Sequence, residues 1–340
     1  MASIKEIAQL AKVSQSTVSV VLNGKGTHYR ISTDTQQRIM DAAQNLGYRP
    51  NISARRLRTR GETIKPVIAL FWTADTRSQL IARYLNGLQV ALSGYKDDYE
   101  ILIQPYVGAQ IHKETSLLTG TRFNGAIIAN STMEDERYLE SAEINVPTVL
   151  YLRNSEKYCS VNVDDYRTGR TIAELFASRG HRSVGIMMPI VSSAAIQSRS
   201  QGFFDGCKEL GLEIREAYNV QEEYSEEGGY RGGKKIAAMG ERPDAIFFLS
   251  DQMAIGSLYA FYEAGVRIPI DMEIVGHDDE VASKFSIPPL TTVHLPVEEM
   301  ALACLELMDG LMTNQIEAPV ARKFESHLVV RQTCGDMKQT

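Results

Sequence analysis

Residues 3–24 read SIKEIAQLAKVSQSTVSVVLNG, and this stretch decides what kind of module opens the chain. Ser3 and Glu6 stand three apart, the spacing of a capping box: the hydroxyl caps a helix start and the carboxylate reaches back. Ile4, Ile7, Ala8 and Ala11 then fall on one face at helical spacing. Lys12-Val13 allows only a short turn. Ser14 caps a second helix whose inward face is Val18, Val21 and Leu22, and Asn23-Gly24 ends it. Further on, Ser32 caps a third helix with Ile39, Ala42, Ala43 and Leu46 inward, stopped by Gly47 and Pro50. Three short helices with a tight turn between the first two form a helix-turn-helix. The second helix turns Gln15, Ser16, Ser19 and Val20 outward, a neutral surface rich in hydroxyls.

The charge around that neutral helix is uneven. Over the whole chain it is −6, which as an average argues against a nucleic-acid partner. Residues 1–60, however, hold ten basic side chains against three acidic ones, a balance of +7, and the rest carries −13. A small basic head on a large acidic body is the pattern of a polyanion-binding module attached to something else. A plain three-helix bundle would satisfy the helical pattern equally well, but not the basic balance and the short turn together. The remaining totals are those of a globular protein, with 44% apolar and 23% charged residues in 340. No apolar run is long enough to span a membrane, and MASIKEIAQ is not a secretory signal. Cys159, Cys207, Cys304 and Cys334 are scattered without a CxxC or zinc spacing, so we expect reduced thiols in a cytoplasmic protein, with no metal and no cofactor.

From Pro66 the chain alternates β-rich apolar runs with helical stretches. VIALFW, EILIQPY, GAIIAN, PTVLYL, SVGIMM, AIFFLS and EIVGHDD are strand-like. The alternation predicts parallel sheets with crossover helices, and the length suits two such halves with a ligand cleft near the carboxyl ends of the strands. No nucleophile elbow, P-loop or GxGxxG follows a strand, so an enzyme on this scaffold is the weaker alternative.

IKEIAQLAKVSQSTVSVVLNG, followed by TQQRIMDAAQNLGYRPNISARRLR, resembles the N-terminal signature of the LacI/GalR family of bacterial transcriptional repressors. The matching pieces are the IxxIAxxAxVSxxTVSxVLN core, the LGYxPN stop and the ARxL hinge. The loop Gly24–Ile31 (GKGTHYRI) is longer than the family pattern leads one to expect. TGRTIAELFASRGHRSVGIM, DAIFFLSDQMAIGSLYAFYEAGVRIPIDMEIVGHDDE and IPPLTTVHLPVEEMALACLELM resemble the effector-binding core of the same family, so nearly the whole chain is covered. The resemblance implies an N-terminal all-α helix-turn-helix DNA-binding domain plus an α/β periplasmic-binding-protein-like core of two doubly wound parallel-sheet subdomains. The expected divisions are a head at 1–49, a hinge at 50–61 and a core at 62–340. Within the core, the N-subdomain takes 62–160 and 293–325, and the C-subdomain 161–292 and 326–340.

The resemblance also assigns residues. Once the second helix is taken to lie on DNA, the residues' own chemistry has Gln15 and Ser16 facing the groove and Thr17 and Ser19 holding phosphates. Val20, where family members often carry a large polar or basic side chain, packs a thymine methyl, which valine can do although it cannot bond guanine. In the hinge, Leu57 is a minor-groove wedge, with Arg55 and Arg58 neutralising phosphate beside it. For the effector, Arg199 matches the ligand arginine ahead of GFxxG and Asp278 the acidic contact; His277 stands where tyrosine is usual. Asp251 matches the aspartate of the NDxxAxG motif, and Tyr224 an aromatic that stacks on effector. Thr73, Arg77 and Asn130 are further contacts from the first half. Each has a plainer alternative: Arg199 as a surface arginine, Asp278 and Asp251 as caps, Tyr224 as a packed rim tyrosine. Leu152-Arg153 replaces a usual Asp-Arg pair and so removes one carboxylate. The function implied is a homodimeric regulator, a repressor, that binds double-stranded operator DNA and answers to a sugar-like small-molecule effector held between the subdomains; a phosphocarrier protein partner is the alternative.

Overall fold

The structure is a computed structural model of the chain and describes residues 3–22, 25–46, 65–73, 79–94, 99–120, 122–191 and 193–335. The expectations at Asn23-Gly24, at the Gly47 and Pro50 stop, across the 50–61 hinge with Arg55, Leu57 and Arg58, and at Arg77 lie outside the described residues.

The head is α1 (Ile4–Ala11), α2 (Gln15–Leu22) and α3 (Thr33–Asn45). Both bonds of the Ser3–Glu6 capping box form, and Lys12, left-handed at φ 53°, closes α1 and starts the turn. Ser14 Oγ accepts the Thr17 amide at 3.1 Å and so caps α2. Ile7, Ala8, Ala11, Val18, Val21, Ile39, Ala42 and Ala43 form one buried cluster, in which small side chains let three short helices meet. Leu46 departs from expectation. It is 37% exposed, because α3 ends at Asn45 and the chain leaves the helical stripe before Leu46 can follow it inward.

The core begins with β1 (Val67–Thr73), α4 (Gln79–Leu92), β2 (Glu100–Tyr106), α5 (Thr115–Thr119), β3 (Gly125–Ala129), α6 (Met133–Ser141), β4 (Thr148–Tyr151) and β5 (Cys159–Val163). It continues through α7 (Asp165–Ser178), β6 (Val184–Pro189), α8 (Ala194–Leu210), β7 (Asn219–Glu222), α9 (Glu226–Ala237), β8 (Ala245–Phe248), α10 (Asp251–Glu263) and β9 (Glu273–Asp278). It closes with α11 (Val281–Phe285), β10 (Thr292–His294), α12 (Val297–Met312), β11 (Ala321–Phe324) and β12 (His327–Val329). Two six-stranded sheets result, ordered β11-β5-β4-β3-β1-β2 and β12-β10-β9-β8-β6-β7. The pairs among β1–β4 and among β6–β10 are parallel, while β12 runs antiparallel to β10. Every strand expected from the sequence is present. VIALFWT is buried at all seven positions because helices cover both faces of a central parallel strand; EILIQPY is partly exposed because β2 is an edge.

The chain divides into two compact units. Met1–Ala74, Leu88–Ser160 and Leu302–Val320 make the first; Asp75–Gly87, Val161–Ala301 and Ala321–Thr340 make the second. In the first, Phe71, Phe123, Ile128 and Leu139 anchor the core. In the second, Ile172, Phe176, Phe203 and Phe247 fill one cluster, and Phe248, Met253, Phe261 and Ile274 another. Each such buried side chain contributes about 1.5–3 kcal/mol of transfer free energy. The second unit also brings helices together at backbone distance. A Cβ at Gly169 would lie 2.0 Å from the Arg199 carbonyl oxygen, and one at Gly202 would lie 2.0 Å from that of Tyr166. Only hydrogen fits where α7 crosses α8.

Candidate functional sites: a DNA-reading helix and a buried arginine–carboxylate cluster

On α2, Gln15 and Ser16 are exposed, and Thr17, Ser19 and Val20 are half-buried, so Val20 is less outward than its helical position suggests. Ser14 Oγ lies 2.7 Å from both Ser16 Oγ and Thr17 Oγ1. The cap residue thus orders the first turn, and the Ser16 and Thr17 hydroxyls must share themselves between that cap and any outside partner. Gln15 carries a bidentate amide on the exposed face.

In the second unit, four of the expected positions, Arg199, Tyr224, Asp251 and Asp278, converge with neighbours the sequence did not assign to the site. Asp164 caps α7 by accepting the Arg167 amide at 2.9 Å, which leaves the next residue, Asp165, to turn toward α8. There Arg199 donates to Asp165 Oδ1 from Nη2 at 2.5 Å and from Nε at 3.1 Å. The two side chains are 8% and 11% exposed, so the pair is nearly dry and strongly held. The close crossing of α7 and α8 at Gly169 and Gly202 sets this contact, and Asp165 is the member of the candidate site that the sequence reading did not single out. Its only signal was a second aspartate directly after a strand.

Asp278 ends β9 with φ 114°, a strained position for any residue but glycine. Tyr224 donates its hydroxyl to Asp278 Oδ2 at 2.9 Å, and His277 Nδ1 lies 2.8 Å from Oδ1. Burial, reinforced by the nearby Arg199 charge, pushes the His277 pKa down, so the ring is neutral and its Nδ1 proton goes to the carboxylate. Burial, and then the Asp278 charge, push the Tyr224 phenol well above its ordinary range, so it stays a donor. Arg83 Nη1 donates to the Asp278 carbonyl oxygen at 2.7 Å and is itself gripped by Glu298, which fixes the strained residue. Tyr224 differs from expectation: it is buried and engages through its hydroxyl, because its ring is packed rather than open for stacking.

Asp251, the first residue of α10, is fully buried. It accepts from the Glu280 amide at 2.9 Å, Ser283 Oγ at 2.5 Å and Thr292 Oγ1 at 2.6 Å. Its oxygens tie the segment after β9 to α10 and β10 instead of facing outward. Burial and the neighbouring Asp278 push its carboxyl up to about 7. Burial, with Asp278 and Asp251 beside it, pushes Glu280 up to about 8.

In the first unit, Thr73 and Asn130 stand at the carboxyl ends of β1 and β3, both buried. Asn130 is left-handed at φ 58°, which asparagine tolerates. Its Nδ2 and the adjacent Ser131 Oγ are buried without a hydrogen-bond partner among the described residues. Arg153 donates to the Ser131 carbonyl at 2.9 and 2.5 Å and pairs with Glu136 at 2.7 Å. Arg153 thus has a carboxylate partner on α6. Burial outweighs that pairing and raises the Glu136 pKa.

A helix-turn-helix head on two parallel-sheet units of this design defines a DNA-binding transcription regulator with a periplasmic-binding-protein-like core. The profile of bacterial regulatory proteins of the lacI family matches residues 3–51, and that of the periplasmic binding protein-like domain matches residues 173–334. A LacI family transcription regulator from Clostridium acetobutylicum is similar in structure, with 35% identity, a TM-score of 0.75, and coverage of 78% of this chain and all of that one. Among curated proteins, the "Probable HTH-type transcriptional repressor ExuR" of Bacillus subtilis is 29% identical over 89% of each chain. The lac repressor dimer bound to operator shares the fold, with a TM-score of 0.71 at 21% identity over 98% of this chain and 99% of that one. The chain belongs to the LacI family of transcriptional regulators. Like its named relatives it is a regulator, not an enzyme.

Proposed function

We propose that the protein is a homodimeric repressor whose hold on operator DNA is set by an uncharged, sugar-like effector. The observation that carries this is the Asp165–Arg199 pair in the same unit as the Tyr224–Asp278–His277 chain. A guanidinium fixed by one carboxylate, and a second carboxylate fixed by a phenol and a neutral imidazole, offer donors and acceptors in set directions. That is the equipment for paired hydroxyls. Asp165 already neutralises Arg199, and the Asp278 carboxylate, in the same unit, has no guanidinium on its oxygens among the described residues, which disfavours an anionic effector.

Arg199, Tyr224 and Asp278 are the proposed effector contacts of the second unit, with Asp251 in support. Thr73 and Asn130 are proposed for the first, and Arg77, outside the described residues, is a further proposed contact. Gln15, Ser16, Thr17, Ser19 and Val20 are the proposed groove and phosphate contacts, and Arg55, Leu57 and Arg58 the hinge contacts. Dimerisation is supported by apolar side chains left open on α10, α11 and just beyond: Tyr262 is 79% exposed, Phe285 78% and Ile287 90%. Such a protein works beside the chromosome, in the cytoplasm.

The test begins with selection of the operator from a random duplex pool. Affinity is then measured with and without neutral sugars, for the wild type and for Arg199→Lys, which keeps the charge but loses the fork. A tenfold change in wild-type affinity corresponds to about 1.4 kcal/mol of coupling. Arg199→Lys is expected to bind the operator normally and to lose the response; a normal response removes Arg199 from the site.

A further inference from the structure

Between α2 and α3 the chain makes a turn, Lys25-Gly26-Thr27-His28-Tyr29-Arg30-Ile31, anchored at both ends and uncovered at its tip. The Lys25 amide bonds the Val20 carbonyl at 3.1 Å, Tyr29 bonds Lys25 at 3.0 Å, Arg30 bonds Thr27 at 3.0 Å and Ile31 bonds Gly26 at 2.9 Å. This is a compact coil of chain, not a loose loop. Gly26 is buried against the Gln36 side chain, which donates to the Ile31 carbonyl at 2.8 Å, and Ile31 packs on the head core. The tip points the other way. Lys25, Thr27, His28, Tyr29 and Arg30 are all exposed, Tyr29 by 60%. The His28 and Tyr29 rings meet edge-on with centroids 5.2 Å apart, and Arg30 is left-handed at φ 56°.

Two cations and a hydroxyl-bearing ring are therefore held outward on a rigid mount directly after the helix assigned to DNA. The carboxylates of the described head do not offset them. Glu6 serves the Ser3 cap, Asp34 lies 3.5 Å from Arg38, and Asp41 accepts from the Gln37 amide at 2.8 Å. We infer that the Lys25–Arg30 turn is a phosphate-contact surface, on which Lys25 and Arg30 each neutralise a backbone phosphate of duplex DNA. Charge complementarity selects a polyanion, and α2, which has no charged side chain, cannot supply that attraction itself. The inference rests on the head's binding DNA. The competing role is local: two cations beyond the carboxyl end of α2 would complement its dipole and stabilise the head without touching DNA.

Salt dependence separates these roles, because each neutralised phosphate adds about 0.9 to the slope of log affinity against log salt. The full-length protein is titrated by fluorescence anisotropy onto a mixed-sequence duplex from about 50 to about 200 mM salt. Lys25→Ala/Arg30→Ala is expected to lower the slope by about 1.8, whereas Lys25→Arg/Arg30→Lys and Thr27→Ala retain it. Circular dichroism of the same samples follows the helices. An unchanged slope in a folded Lys25→Ala/Arg30→Ala protein overturns the inference, and a fall in melting temperature alone assigns the pair to the helix dipole. Wild-type binding without salt dependence would instead remove the DNA-binding basis on which the inference stands.

Discussion

The two sheets are built alike, yet they end differently. At the carboxyl ends of the first unit's strands, Asn130 Nδ2 and Ser131 Oγ have hydrogen-bonding capacity left unspent among the described residues. In the second unit the corresponding groups bond to one another: Asp165 to Arg199, Tyr224 and His277 to Asp278, Asp251 to Ser283 and Thr292. That set is not complete, for His277 Nε2 and Gln252 Oε1 are also buried without a hydrogen-bond partner among the described residues. Its bonded members are nonetheless fixed before any ligand arrives, and each is costly to remove. An unsatisfied set contributes little stability and gains most from a new partner.

Removing Arg199 should break the comparison most severely. Arg199→Ala strands Asp165 in a nearly dry site and is expected to cost about 3 kcal/mol or more, read as a lowered denaturant midpoint. A loss below about 1 kcal/mol would show that the pair is hydrated in solution.

Asp251→Asn is expected to cost about 2 kcal/mol, since one carbonyl oxygen must replace two carboxylate oxygens that serve three donors. It should also change the pH response. Asp251 titrates at about 7 and Glu280 at about 8 in the folded protein, both far above unfolded carboxyls. Between about pH 4 and pH 8 these two groups bind fewer protons in the unfolded chain than in the folded one, so the stability they contribute falls as pH rises. His277, held neutral in the fold, contributes with the opposite sign below its ordinary pKa of 6.5. Calorimetry across that range should show the decline in the wild type and a shallower one in Asp251→Asn. Equal slopes would mean that Asp251 is already ionised at acidic pH.

The smallest effect belongs to the first unit. Ser131→Ala removes a buried hydroxyl that bonds nothing described, so it should be neutral or stabilising by up to about 1 kcal/mol. A clear destabilisation would reveal a partner for that hydroxyl and erase the contrast between the two sheets.

Much of the fold was legible in the sequence because local rules set it. Ser3-Glu6 and Ser14 announce helix starts through hydroxyl spacing, and VIALFW or AIFFLS announce buried parallel strands through unbroken apolar runs. The site was legible only in part. Arg199 and Asp278 stood out, but Asp165 reaches Arg199 across 34 positions, through a helix crossing that no local pattern encodes. Tyr224 offered an aromatic ring to the sequence; its burial and its bond to Asp278 come from long-range packing. Leu46 continued an apolar stripe that the helix itself abandoned one residue earlier.

The contacts at Gly169 and Gly202 admit no heavier atom, while the side chains they bring together can be exchanged at a cost in stability but without moving the helices. These two kinds of position therefore evolve under different rules. Drift is closed at the glycines, where a single added methyl would drive α7 from α8. It is open at Arg199, Tyr224 and Asp278, whose exchange leaves the helix spacing intact. On the proposed assignment, a lineage with this scaffold could change its effector without rebuilding the scaffold, and laboratory libraries seeking new effectors should vary the cluster and hold the glycines fixed.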